Sequence, residues 1–152
     1  MYQEFATIAD LLLQLQKPAI PHSESYYRVG EVTQKMTADI LAVTGLQVAG
    51  FTVMLDLSGV RHTLKKHGLH AAASQLAQGQ LPIVQADFQD LVDWVLQPDS
   101  IIVGKPRLGK HPMPCCELQS SQPTGLVSAV LEYRPGRRRL VLVTMYKKRP
   151  TT

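Results

Sequence analysis

The stretch Leu126-Val-Ser-Ala-Val-Leu-Glu-Tyr-Arg134-Pro135-Gly136-Arg137-Arg138-Arg139-Leu140-Val-Leu-Val-Thr144-Met-Tyr146-Lys147 decides the class of fold. Two runs rich in aliphatic and β-branched residues, Leu126 to Arg134 and Arg138 to Lys147, flank a Pro-Gly pair. Such runs form strands, and Pro135 presets φ while Gly136 can take a positive φ, so the segment reads as an antiparallel hairpin. Period two puts Leu140, Leu142, Thr144 and Tyr146 on one face, and Val141, Val143 and Met145 on the other. The second face is wholly apolar and is expected to meet helices. The first turns polar towards its end, where a hydroxyl and a phenol stand side by side.

Upstream of the hairpin, residues 104–124 contain Pro106, Pro112, Pro114 and Pro123 and read as a long loop, in which Cys115 to Leu118 can be extended. Ile101 to Val103 is a short strand after the Pro98-Asp99 turn. Gln85 to Leu96 reads as a helix, with Phe88, Leu91, Val92 and Val95 on one face and Asp87 and Asp90 in the first turn, where negative charge suits the dipole. From Leu46, the positions Ala49, Phe51, Val53 and Leu55 alternate as in a half-buried strand. A basic helix follows to Gly68, with a weaker continuation through His70 to Ala77. Nearer the N-terminus, two amphipathic helices are expected, one over residues 4–16 ended by Lys17-Pro18, and one from Glu31 to Val43 stopped by Gly45. Ala19 to Tyr27, with Pro21 and His22, reads as an irregular connection. Helices, a strand, helices and then strands indicate an α+β fold with an antiparallel sheet, in one domain over residues 1–152.

At 45% hydrophobic residues the chain has the composition of a soluble globular protein. No run approaches the roughly 18 apolar residues of a membrane span, and no charged-then-apolar signal segment opens the chain, so no membrane partner is expected. Charge is divided unevenly. Residues 1–100 hold 6 basic and 10 acidic residues, a balance of −4, whereas residues 101–152 hold 10 basic and 2 acidic residues, a balance of +8. A concentrated positive segment favours a polyanionic partner such as nucleic acid, an acidic protein or an anionic lipid surface. Cys115 and Cys116 are adjacent, which suits disulfide geometry poorly. His111 adds a third candidate metal ligand, but without a second Cys/His cluster this is too little to specify zinc, and neither a metal nor another cofactor is expected.

The chemistry is concentrated in Gly59-Val-Arg-His62-Thr-Leu-Lys65-Lys66-His67-Gly68. Imidazoles titrate near neutral pH and serve as proton donors and acceptors. Five residues apart, His62 and His67 are separated by about 140° on a regular helix, so either the helix distorts near Gly68 or the two reach a site from its flanks. His62 and Lys66 share a face, as do Thr63 and His67. Taken alone, the spacing favours a solvated basic helix with one partly buried imidazole. Likewise, the Thr144/Tyr146 face and the cations around the hairpin read either as an exposed, edge-protecting surface or as a platform that grips phosphates.

Taken together and in order, His62-Thr-Leu-Lys-Lys-His67-Gly68, the Asp87-Phe88 helix leading to Gln97-Pro98-Asp99-Ser-Ile-Ile, and the closing Leu-Val-Leu-Val-Thr144-Met-Tyr146-Lys147 resemble the phage-associated branch of the barnase–EndoU–colicin E5/D–RelE-like nuclease toxins. The resemblance covers about residues 46–149. It implies N-terminal helices over residues 1–44 packed on a roughly four-stranded antiparallel sheet, with a nuclease-like core over residues 45–149. It also implies a metal-independent ribonuclease, acting in the cytoplasm of a cell into which the protein would be delivered, with RNA (tRNA among the candidates) as substrate and an acidic immunity protein as a further partner. His62 and His67 would be acid and base. Thr144 would orient a phosphate oxygen, Tyr146 would stack on a base or bond the phosphate, and Lys66 and Lys147 would offset transition-state charge. Lys65, Arg134, Arg137, Arg138, Arg139, Lys147 and Lys148 would hold the nucleic acid. Two other classes compete. One is a non-catalytic module that docks nucleic acid or an acidic partner through the basic hairpin. The other is an ADP-ribosyltransferase-like toxin, for which only Glu132 stands as an acid near the final strands.

Overall fold

The chain opens extended rather than helical. The computed structural model describes residues 3–16, 25–68, 79–104 and 113–149. Strand β1 covers Gln3–Phe5, and helix α1 is confined to Ile8–Leu13. Thr7 sets that start, since its backbone is extended and its side chain accepts the Asp10 N–H at 3.1 Å, an N-cap that blocks helix further back. The helix expected over 4–16 therefore shortens to its middle, with Leu11 and Leu12 buried. Strand β2 runs Ser25–Glu31, so the connection expected to be irregular as far as Tyr27 is already sheet by Ser25.

Helix α2, Gln34–Thr44, is capped by the Thr33 side chain on the Met36 N–H and stopped by Gly45, which takes the left-handed φ of 77° that the sequence suggested. Strand β3, Thr52–Asp56, passes without a loop into helix α3, Leu57–His67. Asp56 makes that junction, its Oδ1 accepting the Gly59 N–H at 2.7 Å. After β4 (Gln80–Leu81) comes helix α4, Gln85–Trp94, and then β5, Ser100–Gly104. The weak continuation expected through His70 to Ala77 lies outside the described residues, as do Pro21 and His22.

Strand β6, Cys115–Gln122, corrects the expected loop. Pro114 precedes it and Pro123 follows it, so these two prolines bound a strand rather than interrupt one. Strands β7 (Gly125–Arg134) and β8 (Arg139–Lys148) form the hairpin. Its turn is a single 3₁₀ turn over Pro135–Arg137, and the positive φ falls on Arg138 (53°), not on Gly136.

Among the described residues the sheet has eight strands in the order β1-β2-β3-β8-β7-β6-β5, with β4 pairing the far end of β8. It is mixed, because β1 with β2 and β3 with β8 are parallel while the other pairs are antiparallel. The α+β class holds. The expectation of about four antiparallel strands under N-terminal helices does not: β5–β8 form such a half, but residues 1–44 contribute β1 and β2 to the sheet itself. The main core draws Leu11, Met36, Leu57, Val60, Phe88 and Leu91 from the four α-helices among the described residues. They meet Leu118, Leu131, Leu140, Leu142 and Met145 on one sheet face. No helix among the described residues is long and apolar enough to cross a membrane.

One irregularity decides what the other face carries. Leu131 pairs with Leu142 and Val130 with Thr144, so Val143 is an extra residue and β8 bulges there. Strict alternation would keep Leu140, Leu142, Thr144 and Tyr146 together. The bulge instead sends Leu140 and Leu142 into the main core with Met145, while Val143 joins Val130 and Cys115 in a smaller cluster against Tyr146 on the opposite face.

Candidate active site

Helix α3 occupies a gap in the sheet. Along one edge of β8, pairing with β3 ends at Met54–Val141, and pairing with β4 resumes at Leu81–Lys147. Between these points α3 takes the place of a strand. The Met145 N–H donates to Oγ1 of the fully buried Thr63 at 3.0 Å, and Gly59 lies directly against the Leu142 carbonyl. The helix end is tied down where the Ile83 N–H donates to the His67 carbonyl at 2.7 Å. At 100° per residue, the Gly59–Thr63 ridge falls between the directions of His62 and His67. With the ridge docked on β8, the two histidines reach one cleft from its flanks.

That cleft has a volume of about 500 Å³. His62, His67 and Gln80 stand on one side, Thr144 and Tyr146 form the floor, and Glu117, Ile102 and Val103 stand beyond. Its size falls within the roughly 300–1,000 Å³ of small-molecule sites. His67 Nδ1 is 3.0 Å from Gln80 Oε1. An amide oxygen only accepts, so the contact is a hydrogen bond in the tautomer that carries its proton on Nδ1, which leaves the Nε2 lone pair of the neutral ring available. Burial pushes the His67 pKa below its ordinary value, the Gln80 hydrogen bond raises it in part, and the Lys66 charge lowers it again. Burial thus favours the neutral form of the His67 imidazole.

The His67 and Tyr146 rings lie 5.9 Å apart and tilted by 42°. The Tyr146 hydroxyl donates to Glu117 Oε2 at 2.9 Å, and burial is the main cause of its raised pKa. With its hydroxyl directed at Glu117, Tyr146 lines the cleft and packs against the Cys115, Val130 and Val143 cluster, and Lys148 Nζ lies 5.8 Å from the ring centroid. Thr144 Oγ1 is buried and has no hydrogen-bond partner among the described residues. Cys115 and Cys116 point to opposite faces of β6, and burial with the neighbouring thiol pushes Cys116 up to about 12, an inert thiol. Among the described residues no three His, Cys, Asp or Glu side chains form a cluster able to hold a metal, and His111 lies outside them.

His62, His67, Thr144 and Tyr146 are brought together, and Lys148 stands beside them. Lys147 is not with them. It points to the helical side, where its ammonium contacts both Asp87 carboxylate oxygens at 3.1 Å with both side chains under a tenth exposed. It is therefore an internal ion pair and not a surface cation. Lys65 and Lys66 are exposed on α3. Arg134, Arg137, Arg138 and Arg139 lie at the turn, about 15 Å from Thr144 at some 3.3 Å per strand residue. Several of these arginines already have partners. Arg134 bonds Glu132 at 2.9 Å and lies 3.9 Å from Asp56, Arg138 donates to the Ala49 carbonyl, and Arg139 stacks over Tyr26 at 5.3 Å. Two of these contacts, Lys147 with Asp87 and Arg134 with Asp56, set cations of the basic second segment against acids of the first. Glu117, Gln80 and Thr63 were missed as site residues. Only Glu117 had a usable signal, the polar-apolar alternation of Glu117, Leu118 and Gln119, which the flanking prolines concealed.

Chemically, the cleft offers an imidazole whose neutral form is favoured, a second imidazole, a buried hydroxyl and a tyrosine ring. Those groups suit proton transfer at a phosphodiester. No protein family, curated protein or solved structure matches this chain.

Proposed function

We propose that the protein is a metal-independent endoribonuclease of the toxin or effector kind, the activity its sequence resemblance implies. The observation that carries this reading is the placement of His62 and His67 on the two flanks of one helical ridge, opening onto a single cleft with Thr144 and Tyr146. His67 Nε2 takes the proton of a ribose 2′-hydroxyl, and the oxygen attacks the adjacent phosphorus. His62 donates a proton to the departing 5′-oxygen, leaving a 2′,3′-cyclic phosphate and a free 5′-hydroxyl. The Thr144 hydroxyl donates to a non-bridging phosphate oxygen, and Lys66 and Lys148 supply positive charge at the rim. Tyr146 stacks on a base. The substrate is RNA, with tRNA and other structured RNA first in line, and an acidic immunity protein is a proposed partner for the basic turn.

A second reading, a non-catalytic polyanion-binding module, draws on the separation of exposed Arg137 and Arg138 from the cleft. The two part in one assay: protein incubated with total RNA and EDTA yields cyclic-phosphate ends under the first reading, and salt-sensitive binding with intact RNA under the second.

A further inference from the structure

Helix α3 lies alongside β8 and runs in the same direction, with Gly59 against Leu142 and Thr63 bonded to Met145. His67 therefore stands further towards the end of β8 than His62 does. Strand β4 joins the two elements there, since Gln80 bonds His67 at 3.0 Å and pairs with Lys148. The face of β8 that carries the cleft thus has two ends, one at the β7–β8 turn and one at Lys148.

Their charges differ. At the turn, cations are engaged within the fold: Arg134 contacts the buried carboxylates of Glu132 and Asp56, Arg138 donates to the Ala49 carbonyl, and Arg139 covers Tyr26. At the other end Lys65, Lys66, Lys148 and Arg149 are exposed, and none of the four enters an ion pair among the described residues. Lys66 is near enough to His67 for its charge to lower the imidazole pKa, and Lys148 Nζ lies 5.8 Å from the centre of the Tyr146 ring. Tyr146 is two residues along β8 from Thr144, about 7 Å at 3.3 Å per residue, a span of the order of one unstacked nucleotide.

We infer that Lys66 and Lys148 bind the phosphate on the 5′ side of the nucleotide whose 2′-hydroxyl attacks, so that a single RNA strand runs 5′ to 3′ from the Lys148 end of the cleft towards the β7–β8 turn. The direction follows from which proton each histidine handles. The attacking 2′-hydroxyl belongs to the nucleotide upstream of the scissile phosphate, and its base, His67, is on the Lys148 side. The departing 5′-oxygen belongs to the downstream nucleotide, and its acid, His62, is on the turn side. The upstream nucleotide's own 5′-phosphate then meets two cations that have no counter-charge in the protein. The inference rests on the ribonuclease reading for these roles.

The test uses the deoxyuridine dinucleotide dUpdU, which has no 2′-hydroxyl and so resists cleavage, unmodified, with a 5′-phosphate, or with a 3′-phosphate. Each is titrated into isotope-labelled full-length protein, and amide shifts of residues 65–68 and 144–149 give Kd. The 5′-phosphate should tighten binding about 10-fold, the low end for hydrogen bonds to a charged group, and the 3′-phosphate by much less. Lys66→Gln with Lys148→Gln, both at exposed positions, should abolish the 5′ gain. An equal or larger gain from the 3′-phosphate, no gain from either, or a 5′ gain that survives the double substitution would overturn the inference. The first two outcomes need no variant. A 5′ gain lost in the double variant, from a protein that leaves RNA intact, would support the phosphate subsite and sink the nuclease reading. RNA cleavage with no 5′ gain would do the reverse.

Discussion

Gly59 and the Leu142 carbonyl approach so closely that a Cβ on residue 59 would overlap the carbonyl oxygen. This contact seats α3 in the gap between β3 and β4 and so sets where both histidines lie. On an ordinary exposed helix, Gly→Ala would stabilise by up to about 1 kcal/mol. Here Gly59→Ala is expected to destabilise by about 1–3 kcal/mol, the usual cost of overpacking. Urea unfolding decides by the sign of the change.

Thr63 provides the second point of attachment. Thr63→Val leaves the Met145 N–H buried without its acceptor, at an expected cost of about 1–3 kcal/mol, whereas Thr63→Ser keeps the oxygen and should lose less. Faster amide exchange at Met145 in the valine variant alone is the accompanying sign.

Lys147 separates a structural cation from a functional one. Lys147→Met leaves Asp87 buried without a counter-charge and is expected to cost about 3–5 kcal/mol. Adding Asp87→Leu should recover part of this, less the Val84 N–H bond that Asp87 also accepts. A surface cation would shift stability by no more than about 0.5 kcal/mol, so thermal unfolding of the two variants distinguishes the cases.

The acid limb of the pH–rate profile should follow His67. As a base it works unprotonated, so activity is present above its pKa and is lost as pH falls through it, and that pKa lies below the ordinary 6.5. Gln80→Leu removes the bond that raises the pKa and should move the limb to lower pH. Lys66→Ala removes a charge that lowers it and should move the limb up. Imidazole proton shifts in NMR titrations read the same two displacements without turnover.

Local signals in the sequence carried a good share of this architecture. The Gly45 stop and the β7–β8 hairpin were legible because each depends on neighbours within a few residues. Strand β6 was not, since prolines on both sides made a bounded strand look like loop. Strands β1 and β2 were hidden because their pairing joins residues over twenty apart, which no local pattern records. The bulge at Val143 is likewise a property of the pairing, and without it Thr144 and Tyr146 stay assigned to the face that Leu140 and Leu142 in fact bury. His62 and His67 were visible as residues, but the ridge between them gained its meaning only from β8. Glu117 entered the site from a segment read as loop.

The central claim is that His62 and His67 act together on one phosphodiester. The most direct measurement is the rate of 2′,3′-cyclic-phosphate formation from a defined RNA in EDTA, for the unaltered protein, His62→Ala and His67→Ala. The expected result is cleavage by the unaltered protein and a fall of at least about 10²-fold in each variant, the low end for loss of acid–base catalysis. Intact RNA at micromolar protein, or cleavage that survives both substitutions, would contradict it.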